Sequence, residues 1–352
     1  MNYLKIASAA LAAFVMVGCS DKKGDCCGKS ETCCEKKGDC CEAVVAQTVS
    51  PRFTAQADAV ALIEPQAVIK TIYEIYESIK DELSEAERQE TEKGFAMAKK
   101  LGYEDVTWIS VSVDEFGDRP LGLAFSAHYP HTLASMIETL GEEAGEPEKI
   151  EIPGATEAYK GEGGTPVLAK VGDVLIAAEN EAKAAEQIKL YTDGTTVATY
   201  ADLQPSATGI LNVKISSFGK ALKITGNGSS VVNQVLPDGE RLLKECGELT
   251  IKVTTEGAEI SLEAGSVTDA TTIKTALDSV VMMAKMAYEE HKAELVAELP
   301  PAVKEQLPAV DAAVKSLVCT QKGKVVTLSV KAEILKLAEA LAPVVLSSAS
   351  NR

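Results

Sequence analysis

The sequence predicts an α+β fold: repeated strand–turn–strand–helix units, their strands forming antiparallel sheet backed by helices, arranged as two related halves. Three observations carry this reading. Four times along the chain, two short apolar or alternating segments flank a tight turn and a helical stretch follows. Twice, at Ala57 to Ile63 and at Ala207 to Val213, a lone strand precedes helical material and two such units. The chain is 46% apolar but only 5% aromatic, so a core can be filled, and filled with Ala, Val, Ile and Leu.

In order, Ser50-Pro51 marks the edge of the folded part, and Ala57 to Ile63 is the first strand, stopped by Pro65. Pro65 also suits the first turn of a helix, whose apolar stripe is Val68, Ile72, Ile75, Ile79 and Leu83. Ser84 with Glu87 reads as a capping box for a second helix, ending near Gly102. The first unit runs from Val106 to Val113, turns at Phe116-Gly117-Asp118, returns over Leu121 to Tyr129, and opens a helix at Pro130 that reaches Leu140. The second is Pro166 to Val171, a Gly172-Asp173 turn, Val174 to Ala178, and a helix from Asn180 to Tyr191.

The third unit is Glu248 to Thr254, a Glu256-Gly257 turn, Ala258 to Ala264, and a long helix near 269–299. Pro301 is placed to open the next helix, with Pro308 expected to kink it. The fourth is Ser316 to Thr320, a Lys322-Gly323-Lys324 turn, Val325 to Val330, and a helix through Leu346. No unit can bury its own apolar face, so the strands should join common sheet with helices on one side. The halves are 51–200 and 201–352.

The residues ahead of this body describe its location. Residues 1–18 hold Lys5, then an uncharged apolar run from Ile6 to Val17, too short to stay as a membrane span, then Gly18-Cys19. Small residues before a Cys at the end of an apolar run resemble the lipobox of bacterial lipoproteins, with Met16 where that family usually has Leu. The resemblance covers about 20 residues. It implies that Cys19 is diacylglycerol-modified, becomes the first residue and is N-acylated, which holds a protein on a bilayer stably. Ser20 after the Cys implies the outer membrane by the enterobacterial rule of that family. The expectation is a bacterial envelope protein, with 19–50 as a tether.

Six of the nine cysteines fall in 16 residues of that tether as Cys26-Cys27, Cys33-Cys34 and Cys40-Cys41, and Lys-Lys-Gly-Asp-Cys-Cys occurs at both 22–27 and 36–41. Glycines oppose a helix there, and with no large apolar residue between Cys19 and Val44 the segment has no core of its own. Two chemistries compete. In an exported protein the thiols oxidise to disulfides, between pairs or between molecules rather than within a pair. Clustered thiolates beside lysines also suit Cu(I) or Zn(II), and the Cys-Cys pairs loosely resemble metallothionein. The spacing lacks the paired C-x-x-C knuckles of a structural zinc site. Cu or Zn on the tether is therefore the one metal expectation, and no cofactor is expected for the body.

Composition excludes some partners. A net charge of −17 argues against nucleic acid, whose phosphates need clustered cations, and against electrostatic docking on anionic lipid. His128 and His131, three apart at a strand-to-helix passage, have no evident third ligand and read as surface or capping residues. His291 falls on the apolar stripe of the long helix and reads as hydrogen-bonded at the core edge, and Met282, Met283 and Met286 read as core filler. Cys246 and Cys319 are a candidate disulfide joining the third and fourth units. Gly161-Glu162-Gly163-Gly164 and Gly226-Asn227-Gly228 are turns rather than phosphate loops, and neither G-x-S-x-G nor H-E-x-x-H occurs. The functional expectation is a lipid-anchored, non-catalytic binding or scaffolding protein, its partner an envelope protein or a small ligand. The rival is a soft-metal or thiol-redox protein acting through the cysteine pairs.

Overall fold

A computed structural model describes residues 49–54, 57–80, 85–114, 123–141, 146–161, 166–193, 200, 202–206, 208–216, 218, 239–298, 304 and 307–333. The expected signal segment, the tether cysteines, Ser84 of the expected capping box, the Phe116-Gly117-Asp118 turn, Glu162-Gly163-Gly164, Gly226-Asn227-Gly228 and the helix through Leu346 lie outside the described residues.

The first half opens with β1 (Ala59–Ile63), α1 (Pro65–Ile79) and α2 (Glu85–Lys100), then a 3-10 turn at Tyr103–Asp105. It continues through β2 (Ile109–Val113), β3 (Leu123–His128), α3 (Leu133–Leu140), β4 (Glu148–Lys149), β5 (Glu157–Lys160), β6 (Val167–Val171), β7 (Val174–Ala178) and α4 (Glu181–Thr192). The second half holds β8 (Gly209–Ile215), α5 (Gly239–Lys244), β9 (Leu249–Thr254), β10 (Gly257–Glu263), α6 (Val267–Glu298), α7 (Leu307–Ser316), β11 (Val318–Lys322) and β12 (Val325–Lys331).

The fold is α+β, and its strands make a single 12-stranded sheet in the order β11-β12-β10-β9-β8-β1-β2-β3-β7-β6-β5-β4. Each neighbouring pair is antiparallel. Read outward from the central β1–β8 pair, the order is the same in both directions: β1, β2, β3, β7, β6 on one side and β8, β9, β10, β12, β11 on the other. Ala61 opposes Val213 at the middle of that pair. Short β5 and β4 extend only the first half; their Lys and Glu content gives no strand signal, and the sequence reading passes over them.

Because opposed residues in an antiparallel pair share a face, register sorts the sheet into two sides. On the front, Ile109, Ala127 and Leu175 pack with Leu133 and Met136 of α3 and with Leu101 and Val106. At the other end of the front, Leu262, Val326, Leu328 and Cys319 pack with Leu242 of α5 and Ala270 and Ile273 of α6. On the back, Leu62, Val167, Ala169, Ile176 and Ala178 pack with Ala184 and Ile188 of α4 and with Trp108.

Helices therefore lie on both faces, not on one side as expected. The reason is in the strands: β6 and β7, VLAKV and VLIAA, are apolar at nearly every position, so both of their faces need cover. The first turns of the long helix pack on β11 and β12; Pro308 is the second residue of α7, and the expected helix opening at Pro301 lies outside the described residues.

Candidate functional site

One row of front-face residues can be followed through the register from strand to strand. It runs Tyr159, Leu168, Ala177, Phe125, Val111, Ala61, Val213, Ile251, Ile260, Leu328, Cys319. Eleven strands thus contribute one residue each to an apolar ladder. The ends are covered, Leu168 and Tyr159 beside α3 and Leu328 and Cys319 under α6.

The middle is less so. Ala177, Phe125, Val111, Ala61, Val213 and Ile251 are half-buried, and Ile260 is 43% exposed. At ~4.8 Å per strand this half-buried to exposed stretch is roughly 30 Å across. In the adjoining row Leu123 is exposed and Val113 and Ile215 are half-buried, while Ala59 between them is buried. Alternation in these strands thus places apolar groups toward a face on which α3, α5 and α6 pack at the two ends and α1 touches the central strand β8. The surface offers apolar area, not a nucleophile or an acid–base pair.

The back face differs between the halves. Where α4 packs it is apolar, whereas its counterpart on the other side of the β1–β8 pair carries Asn212, Lys214, Thr250, Lys252, Glu259, Ser261 and Thr327. Ser261 and Thr327 hydroxyls are 2.9 Å apart, and Lys214 pairs with Asp202 at 3.2 Å and Glu248 at 3.3 Å. Burial works against the Lys214 charge, but those two carboxylates outweigh it and raise the pKa. This half of the back face is polar and partly exposed, with Lys214 itself buried among its partners.

Of the sequence-derived candidates, Cys19, Cys26, Cys27, Cys33, Cys34, Cys40 and Cys41 lie outside the described residues. Cys246 and Cys319 are brought into the same core cluster, but as free buried thiols and not as the expected disulfide. Cys246 turns its Sγ to donate to Leu242 O at 3.2 Å, along its own helical turn. Burial, with Asp269 and Glu245 nearby, pushes its pKa up to about 11, and burial raises Cys319 as well. Both are packing residues held in the unreactive thiol form.

His131 Nε2 meets Asp105 Oδ2 at 2.9 Å, and His128 Nδ1 lies 3.1 Å from the Asp105 carbonyl. The pair thus anchors the turn at Tyr103–Asp105 to the start of α3. Among the described residues no group of three or more His, Cys, Asp or Glu is placed to hold a metal ion. His291 is exposed and bonded to Glu294 at 3.1 Å, rather than sitting at the core edge. The three methionines are also misplaced by the sequence reading: Met282, Met283 and Met286 are 57%, 56% and 63% exposed. The apolar ladder itself was missed, although alternation in β2, β8, β9 and β10 was its visible sign.

No helix among the described residues is long and apolar enough to cross a membrane. Comparison with known protein families, curated proteins and solved structures finds no match.

Proposed function

We propose that this chain is a bacterial envelope lipoprotein, anchored in the outer membrane through lipid on Cys19, whose folded body binds an apolar ligand or partner surface without transforming it. The observation that carries the binding role is the half-buried to exposed apolar middle of the ladder among the described residues, from Ala177 to Ile260. An apolar surface of that breadth, rimmed by helices, marks a site of association. The Met16-Val17-Gly18-Cys19 resemblance supports the anchor.

Two measurements test this. Intact mass of protein extracted from its native membrane should begin at Cys19 and include acyl chains; an unlipidated chain cut elsewhere sinks the anchor. An environment-sensitive apolar dye should bind the folded chain, and Val213→Glu with Ile260→Glu should weaken that binding about tenfold or more, each tenfold being ~1.4 kcal/mol. Unchanged dye binding by a folded double variant sinks the ladder as the site.

A second reading rests on the repeated Lys-Lys-Gly-Asp-Cys-Cys: soft-metal or thiol-redox work in the tether, with the body as support. Replacing Cys26, Cys27, Cys33, Cys34, Cys40 and Cys41 by Ser abolishes function under this reading and spares it under the first.

A further inference from the structure

The outer flank of α6 presents three thioethers to solvent. The first turns of the helix bury Ala270 and Ile273 against β11 and β12. Farther along, Lys285 Nζ reaches Lys315 O at 3.0 Å and Lys292 Nζ reaches Asp311 at 2.5 Å, so the distal turns face α7. At about 100° per residue, Met282, Met283 and Met286 fall within one ~100° arc, directed away from Ile273 and from Lys292.

Packing does not account for methionine here. Its usual place is a core gap, yet each of these is more than half exposed. Spacing does bring the three together. Met286 is one turn beyond both Met282 (i, i+4) and Met283 (i, i+3), and helical side chains lean toward the N-terminus. Three rotatable bonds per side chain let the three donors converge on one ion.

We propose that Met282, Met283 and Met286 form a thioether site for a soft monovalent metal ion, Cu(I). Neutral sulfur donors select Cu(I) over Mg²⁺ or Ca²⁺, which need oxygen ligands. Zn²⁺ sites are built from thiolate, imidazole or carboxylate. Exposed Glu289 and Glu290, one turn on, make the neighbourhood favourable to a cation. Binding is simple ligation, with no change of oxidation state. The site lies in the body and does not depend on the ladder or on the tether thiols.

The test uses the full chain with the seven cysteines from Cys19 to Cys41 changed to Ser, so that tether chemistry cannot contribute. It is titrated with Cu(I) under reducing, oxygen-free conditions against a chromophoric Cu(I) chelator. One ion should bind per chain, with sulfur-only coordination by X-ray absorption. Each single Met→Leu variant should bind about tenfold more weakly, and the triple variant should lose the site while keeping its far-UV circular dichroism. Leu has similar helix propensity and volume, so the fold is expected to survive. A parent chain that takes no Cu(I) from the chelator, or a triple variant that binds as the parent does, overturns the proposal.

Discussion

Gly102 is held at φ +70°, and a Cβ there would stand 2.2 Å from His131 Nε2. Gly102→Ala should therefore cost about 1–2 kcal/mol for the left-handed backbone alone, plus whatever is lost when His131 leaves Asp105. A double-mutant cycle with His131→Ala checks it: the second change should relieve part of the first. Purely additive losses would mean that His131 yields freely. The sequence showed two histidines three apart but could not show that Asp105 faces one of them, because that meeting depends on where the chain turns after α2.

Titration gives a second residue-scale prediction. Cys246 is raised to about 11, and burial raises Tyr129, whose hydroxyl donates to Leu101 O, to about 12, from ordinary values of 9.0 and 10.0. Between each ordinary and raised value the unfolded chain releases a proton that the folded chain keeps. Stability is fully present below about pH 9 and falls as pH rises, by ~1.4 kcal/mol per pH unit for each such group. Urea midpoints at pH 8 and pH 10.5 test this, and Cys246→Val should flatten the lower part of the fall.

At the scale of elements, the hairpin β11–β12 turns at Gly323 (φ +60°) with open space around its Cα, whereas a Cβ on Gly257 would sit 2.2 Å from the Val330 carbonyl. Gly323→Ala should cost only the backbone term, ~1–2 kcal/mol. Gly257→Ala must part β10 from β12 and should lower the melting temperature further. Equal losses would show that the two strands separate locally without penalty.

These turns were legible because glycine marks them in the sequence. The stripe of α1 was legible only in part: Val68 and Ile72 are half-buried, but the deepest residues are Ile69 and Tyr76, which meet α2 rather than the sheet alone. Periodicity reports an apolar face without saying which neighbour it meets. For Met282, Met283 and Met286 the same limit reversed the reading, since α6 outruns the strands that would have buried them.

For the whole molecule, nothing local in β1 and β8, some 150 residues apart, announces that they pair. The sequence supplied two lone strands and two sets of hairpins; the central join is a long-range choice. It is reinforced where the chains meet: Tyr200 OH donates to Ala57 O at 2.7 Å, and Ser216 N–H donates to Asp58 O at 2.8 Å. The halves should therefore unfold together. Emission from Trp108, the only tryptophan, reports on the first half, and circular dichroism on both. Coincident single transitions are expected, and separated ones would show that the join is weak.

Trp108 also fixes how the chain enters the body. Its Nε1 donates to Val49 O at 2.6 Å, the Arg52 guanidinium donates to Leu190 O at 3.3 Å, and Phe53 is buried against Tyr200. Tension arriving along the backbone ahead of Val49 meets these three contacts first. What they transmit reaches β1, which is hydrogen-bonded on both sides, to β2 and β8. The load then falls as shear across two ladders at once, many bonds sharing it, where an edge strand would unzip one bond at a time. A pull on the N-terminal end of the described body is thus met by a strand paired on both sides rather than by an edge strand.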